Sequence, residues 1–176
     1  MLTPWHEFYG LLGAASATLV ALLFVAVSIG VGLLSSDRSA ATRTYMSPII
    51  LHYASVLFVS LVALVPTLSD GGLAAVVALS GAVGIGYSTV VCLRLWRDKK
   101  AEVVDKFAYG TWPFVAYIGT IAAAWLIFDH ARAGPDVLAA SLLVLLLVNI
   151  RNAWDLAVTL ARRHTDGARR NDPPSQ

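Results

Sequence analysis

The chain has 176 residues, of which 57% are hydrophobic and 14% are charged, and its formal net charge is +2. No basic stripe is interleaved with aromatic residues, which argues against a nucleic-acid-binding protein, and a single cysteine, Cys92, excludes an intrachain disulfide. The mean hydropathy of +0.70 points instead to a chain that resides in a lipid bilayer.

Four long apolar runs without a formal charge follow one another along the chain. They comprise residues 8–34, 45–69, 71–93 and 107–128, and are 27, 25, 23 and 22 residues long. A helix needs about 20 apolar residues to cross a hydrocarbon core about 30 Å thick. A fifth run, 137–161, is interrupted by two charged residues. The runs lack a period of two, so they favour helices over a β-barrel.

Positive charge is distributed unevenly between the gaps that separate these runs. Eleven of the 13 Lys and Arg residues follow the first, third or fifth run, whereas Arg132 alone follows the fourth and Arg151 lies within the fifth. Cytoplasmic loops carry an excess of such residues. We therefore predict an all-α, polytopic transmembrane bundle of five helices over residues 1–165, with its N-terminus outside and its C-terminus inside. The polar segment 166–176 is predicted to be a disordered cytoplasmic tail.

Two short connections predict antiparallel neighbours within the bundle. The segment Ser69-Asp70-Gly71-Gly72 joins the second and third runs, and we expect it to be the turn of a helical hairpin. Residues 131–135 join the fourth and fifth runs and end in Pro135, which suits the first turn of a helix.

Small residues recur at four-residue spacing in the first and third runs, a pattern that lets helix backbones approach closely. The predicted packing positions are Gly10, Gly13, Ala14, Ala17, Ala82, Gly84 and Gly86. They predict either close packing within the chain or an interface between identical chains.

The fifth run contains an ion pair at helical spacing. Arg151 and Asp155 are four residues apart, so on a helix they face the same way and can pair. A charge inside the membrane costs about 2.5–3.5 kcal/mol on insertion scales and is a functional hypothesis by default. The alternative is an arginine that reaches the headgroup region at the membrane rim.

Further polar residues are expected in the same inner half of the bundle. The candidates for a pore or a proton relay are His52, Tyr87, Ser88, Arg151, Asn152 and Asp155, while Tyr117 and Thr120 add hydroxyl groups. A histidine beside a carboxylate can relay protons or sense pH, because imidazole changes its charge between pH 5 and 8. The alternative is a histidine that simply forms a hydrogen bond with a neighbouring helix.

A second polar group is predicted at the outer rim. It comprises His6, Glu7, Asp70, Asp129 and His130. The spacings match no metal motif, so we expect solvated loop residues and no metal site. The sequence also lacks the HExxH, GxSxG, P-loop and GxGxxG motifs, which argues against an enzyme and against a bound cofactor.

Two segments, WHEFYGLLG at residues 5–13 and IRNAWDL at residues 150–156, resemble segments of small five-span bacterial inner-membrane proteins that have no assigned activity. The resemblance implies a location in the bacterial inner (cytoplasmic) membrane. It transfers neither an activity nor a site residue.

Two functions are expected from these features. The first is a homo-oligomeric channel or transporter for protons, ions or small solutes, in which the polar residues of the inner half line the path. The second is a non-catalytic regulatory or scaffolding subunit of a larger membrane complex. The expected partners are the lipid bilayer, a second copy of the chain and, under the second function, a larger membrane complex. Nucleic acid is not an expected partner.

Overall fold

A computed structural model describes residues 3–31, 36–97 and 106–171. After a short 3₁₀ turn at Thr3–Trp5, the elements are α1 (His6–Val31), α2 (Ser36–Ala63), α3 (Asp70–Arg97), a π-helical turn (Lys106–Thr111), α4 (Trp112–Phe128) and α5 (Gly134–Asn171). The described residues contain no strand, so the all-α prediction is confirmed for them.

Four helical segments are long and apolar enough to cross a membrane. They are His6–Ala26, Asp70–Arg97, Phe107–Phe128 and Gly134–Val158. The apolar part of α2 is shorter, at 17 residues from Ser47 to Ala63. These segments indicate a membrane protein, since a bilayer accommodates helices that satisfy their backbone hydrogen bonds internally.

The connection between α2 and α3 differs from the predicted turn. Helix α2 ends at Ala63, within the second apolar run, because Pro66 disfavours a helical conformation just before it. Ser69 then caps α3: its hydroxyl accepts a hydrogen bond from the Gly72 amide at 3.1 Å. Gly71 and Gly72 therefore belong to α3, and residues 64–69 form the turn.

Helix α4 ends in a closed turn that contains the one left-handed non-glycine residue among the described residues. His130 has a φ of 55°. The Ala131 amide donates to the Leu126 carbonyl at 2.9 Å and the His130 amide to the Ile127 carbonyl at 3.1 Å, which is the Schellman pattern. Helix α5 begins at Gly134 and has Pro135 in its first turn, as predicted.

Helix α5 extends further than the sequence analysis predicted. It continues to Asn171 and so includes 166–171, the first part of the segment predicted to be disordered. Residues 172–176 lie outside the described residues.

Successive helices run antiparallel, and four of them form a ring. Helix α2 contacts α3, α3 contacts α4, α4 contacts α5, and α5 contacts α2, while α1 lies outside the ring against α2 and α5. The Tyr9 hydroxyl donates to the Pro135 carbonyl at 3.0 Å, so α1 and α5 begin at the same end. We call this the Asp70 end, and the opposite end, where α3 finishes, the Arg97 end.

Only part of the predicted small-residue positions lie where helices meet. A side-chain carbon at Gly13 would lie 3.3 Å from Ser60 Cβ, so α1 approaches α2 closely there. Gly84 receives the ring of Tyr117 in the same way. A side-chain carbon added at Gly10 or Gly86 would meet no atom within 4 Å. Gly86 is exposed, as are Ala14, Ala17 and Ala82.

The two glycines of α3 provide a matched test of the packing between α3 and α4. A Cβ atom at Gly84 would collide with the Tyr117 ring, so Gly84→Ala is expected to reduce the free energy of unfolding by about 1–3 kcal/mol. Gly86→Ala faces open space and is expected to leave it unchanged or to raise it slightly. Thermal unfolding of the detergent-solubilised variants measures both, and equal losses would contradict the observed packing.

Candidate functional site

Each ring helix carries a stripe of buried residues at spacings of three or four. This spacing keeps one face of a helix turned toward its neighbours. The stripes are Ile49, His52, Val56, Val59 and Ala63 in α2; Ala74, Val77, Gly81, Gly84 and Ser88 in α3; Pro113, Ala116, Tyr117, Thr120 and Ile127 in α4; and Leu138, Leu142, Leu145, Asn149, Asn152 and Leu156 in α5.

The character of these stripes changes along the bundle. Toward the Asp70 end they are apolar, and the fully buried side chains there are Val56, Val59, Val77, Ile127, Leu138 and Leu142, which we call the apolar layer. Toward the Arg97 end a polar residue replaces an apolar one in every helix. We call the set His52, Ser55, Ser88, Tyr117, Asn149 and Asn152 the polar cluster.

The contacts between helices place these polar residues at related depths. Tyr117 packs on Gly84, and a Cβ atom added at Gly110 would lie 3.3 Å from Cys92, so Ser88 lies between these two contacts along α3. The Asn152 amide donates to the Ala108 carbonyl, and Asn149 lies about one turn before it in α5. The polar cluster therefore occupies the half of the ring nearest the Arg97 end.

A directed chain of hydrogen bonds runs through the polar cluster. The Tyr117 hydroxyl donates to Ser55 Oγ at 3.1 Å, and Ser55 Oγ donates to the Leu51 carbonyl at 2.9 Å. Because the single Tyr117 proton is used in this way, the 2.9 Å contact between His52 Nδ1 and the Tyr117 oxygen requires Nδ1 to be the donor.

Tyr117 can make these contacts only because residue 84 of α3 is a glycine. Its side chain starts on α4, passes over Gly84 of α3 and reaches two residues of α2. The Tyr87 ring meets the His52 ring edge to face at a centroid distance of 6.3 Å. The imidazole is consequently held in one orientation between two tyrosines.

Asn152 connects α5 to the beginning of α4. In the π-helical turn, the hydrogen-bond partner of the Ala108 carbonyl would be residue 113, which is a proline and has no N–H. Asn152 Nδ2 supplies this donor at 3.1 Å, and the Tyr109 hydroxyl donates to the Asn152 carbonyl at 3.0 Å. This pair of bonds fixes the π-helical turn against α5.

Several polar atoms of the cluster have no partner within the described chain. They are Ser88 Oγ, both amide atoms of Asn149, and Asn152 Oδ1. Each of these residues is only 1% exposed. A buried polar group without a hydrogen bond costs about 1–3 kcal/mol, and such groups in a native protein call for an explanation.

The predicted ion pair forms, but it lies outside the polar cluster. Arg151 and Asp155 approach to 3.3 Å, and their side chains are 44% and 41% exposed. The neighbouring Trp154 is 69% exposed, so this face of α5 points away from the ring. The hydrogen-bond partner of His52 is therefore a tyrosine, and Asp155 is paired with Arg151.

The predicted outer polar residues all lie at the Asp70 end. His6 and Glu7 begin α1, Asp70 begins α3, and Asp129 and His130 follow α4. His130 Nδ1 lies 3.2 Å from an Asp70 carboxylate oxygen, in an exposed contact that links α3 to the turn after α4. No group of three or more His, Cys, Asp or Glu side chains among the described residues is placed to hold a metal ion.

Comparison with the predicted site shows which residues the fold brings together. His52, Ser88 and Asn152 lie in the polar cluster, and Tyr87 borders it through its ring contact with His52. Asn149 was missing from the predicted set, although its spacing from Leu142 and Leu145 would have assigned it to the buried stripe. From the sequence, Tyr117 was expected only to add a hydroxyl group near the site. Its contacts with His52 and Ser55 depend on tertiary packing and could not be predicted.

Comparisons with known proteins give no family for this chain. No protein-family model matches it, and neither a curated protein nor a solved structure matches it.

Two buried tyrosines test the hydrogen bonds of the cluster. Tyr117→Phe removes a hydroxyl that bonds to His52 and Ser55, and is expected to lower the free energy of unfolding by about 1–3 kcal/mol. The control is Tyr53→Phe, because the equally buried Tyr53 hydroxyl has no partner within the described chain and its loss should be neutral or stabilising. Thermal melts in detergent that rank the two variants in the opposite order would contradict this assignment.

Proposed function

We propose that this protein is a small membrane transporter for a proton, an ion or a small solute. In this proposal the polar cluster is the part of the transport path that binds the transported species. The observation that carries the proposal is the set of unpaired, fully buried polar atoms on Ser88, Asn149 and Asn152. Polar residues inside a membrane bundle are costly and are therefore functional by default. A ligand supplies the missing hydrogen bonds.

The apolar layer favours a carrier over an open pore. Its six side chains are at most 1% exposed and lie between the polar cluster and the Asp70 end. A hydrophobic constriction blocks a path because water and polar solutes avoid it. In this carrier, the ligand enters the polar cluster from the Arg97 end. It passes to the Asp70 end when the side chains of the apolar layer move apart.

The orientation in the membrane follows from charge. In the proposed arrangement all five helices cross the inner membrane of a bacterium, with the Arg97 end in the cytoplasm and the Asp70 end outside. The excess of Lys and Arg in the gaps after the first, third and fifth apolar runs supports it. The polar cluster then faces the cytoplasm.

Two exposed charged positions at opposite ends test the orientation. In a background with Cys92 replaced by serine, Asp129→Cys is expected to react with a membrane-impermeant thiol reagent on intact cells, and Arg97→Cys only after the cells are opened. Both native side chains are exposed, so access to the protein surface does not differ between them. Labelling of position 97 alone on intact cells would reverse the proposed topology.

A substitution in the apolar layer tests transport. Purified protein in liposomes is expected to pass at least one of four probes, namely protons, K⁺, Cl⁻ and urea. Leu142→Ser should raise that flux several-fold, since a hydroxyl makes the apolar layer easier to wet. The control Leu143→Ser changes the exposed neighbour and should not raise it.

The same liposome measurements can contradict transport. Liposomes that contain folded protein and stay tight to all four probes, both with the native chain and with Leu142→Ser, would remove this function. The exposed small residues then support the second candidate, a non-catalytic subunit of an oligomer or of a larger membrane complex.

That second candidate rests on a separate surface. A side-chain carbon added at Gly10 of α1 or Gly86 of α3 would meet no atom within 4 Å. Small residues on an outward helix face allow another transmembrane helix to approach closely. Under this candidate, Gly10→Leu or Gly86→Leu abolishes association with a second copy or a larger complex in native membranes. The transport function does not depend on these two positions.

A further inference from the structure

The unused hydrogen-bonding groups of the polar cluster include both donors and acceptors. Asn149 offers one amide nitrogen and one amide oxygen, Ser88 offers a hydroxyl that does both, and Asn152 offers an oxygen. A bare cation satisfies only the acceptors and leaves the amide N–H groups buried without partners. An anion satisfies only the donors. A molecule that both donates and accepts satisfies both kinds of group.

The charges of the described residues lead to the same conclusion. The stripes of the four ring helices contain no Asp, Glu, Lys or Arg among their described members. Arg151 and Asp155, the two charges nearest to the cluster along α5, neutralise each other on an outward face. An ion bound at Asn149 would lose its hydration without gaining a counter-charge, which is strongly unfavourable in an apolar bundle.

The hydrogen-bond chain of His52 is also unsuited to carrying protons through the cluster. It runs from His52 through Tyr117 to Ser55 and ends at the carbonyl oxygen of Leu51. A backbone carbonyl accepts a hydrogen bond but has no proton to pass on. The chain therefore holds the imidazole in place and does not form a continuous relay.

We infer that the ligand of the polar cluster is a small uncharged molecule that both donates and accepts hydrogen bonds, of the amide or polyol class, and that the Asn149 side chain binds it. This inference rests on the proposed transport function and narrows its substrate class. Asn149 is central because it is the cluster residue with both of its side-chain polar atoms unpaired.

A leucine at position 149 separates a binding role from a structural one. Leu138, Leu142 and Leu145 precede Asn149 on the same buried stripe, so Asn149→Leu extends an apolar stripe with a residue of similar size. Because the native amide has no partner within the described chain, its removal is expected to raise the melting temperature by about 2–4 °C. A structural amide would give the opposite sign.

Urea is the probe for the binding role. Proteoliposomes containing the native protein are expected to take up urea faster than empty liposomes in a stopped-flow light-scattering assay, while K⁺, Cl⁻ and protons stay excluded. Asn149→Leu should lower the protein-dependent urea rate about tenfold, as expected for the loss of favourable hydrogen bonds to the solute. Ser60→Ala is the matched control, because Ser60 is also buried and unpaired but lies against Gly13 of α1, outside the cluster.

The outcomes distinguish this inference from the transport function that it narrows. Urea uptake that Asn149→Leu removes and Ser60→Ala preserves supports both. Flux of K⁺, Cl⁻ or protons without urea flux overturns the uncharged ligand and leaves transport standing, whereas liposomes tight to all four probes overturn transport and the inference together. A lowered melting temperature for Asn149→Leu would show that the amide is already paired, and would overturn its assignment as the binding group.

Discussion

The close approach of α3 and α4 at Gly84 organises the interior of this bundle. Only a residue without a side chain leaves room for the Tyr117 ring at this point. The ring passes α3, and its hydroxyl then meets His52 and Ser55 on α2. One packing contact therefore sets both the spacing of two helices and the orientation of the histidine.

The same arrangement separates the neutral polar groups from the charged ones. His52, Ser88, Tyr117 and Asn149 face the ring, where a charge would have to be desolvated, whereas the Arg151–Asp155 pair lies on an outward face. At the opposite end, His130 and Asp70 meet in an exposed contact. The charged side chains of these two pairs are thus exposed or part-exposed, whereas the four ring-facing residues offer hydrogen-bonding groups to the interior.

Asn149 interrupts a buried stripe of leucines and shows that the polar interior lowers the stability of the fold. Leucine at Asn149 would continue the pattern set by Leu142 and Leu145 and would remove two unpaired polar atoms. Asn152 differs, because its Nδ2 atom replaces the donor that proline cannot provide in the π-helical turn. Two asparagines three residues apart therefore have different roles, one in fixing a neighbouring element and one, as proposed, in holding a ligand.

Apolar runs of helical length that lack a period of two were enough to predict the helical class, and the position of the polar residues near the basic ends of those runs could also be read from the sequence. It also predicted the Arg151–Asp155 pair, since a spacing of four residues sets their distance on any helix. It did not predict that α2 ends before Pro66, that α5 extends to Asn171, or that the ion pair faces outward.

Tertiary structure alone decided which polar groups share the interior. Tyr117 reaches His52 only because Gly84 lies beneath it, and the two residues are far apart in the chain. Gly13 packs against α2 while Gly10, one turn earlier, remains uncovered, although both fit the same small-residue pattern. A local pattern fixes which face a residue shares with its neighbours, but the faces that meet depend on how the helices are arranged around the ring.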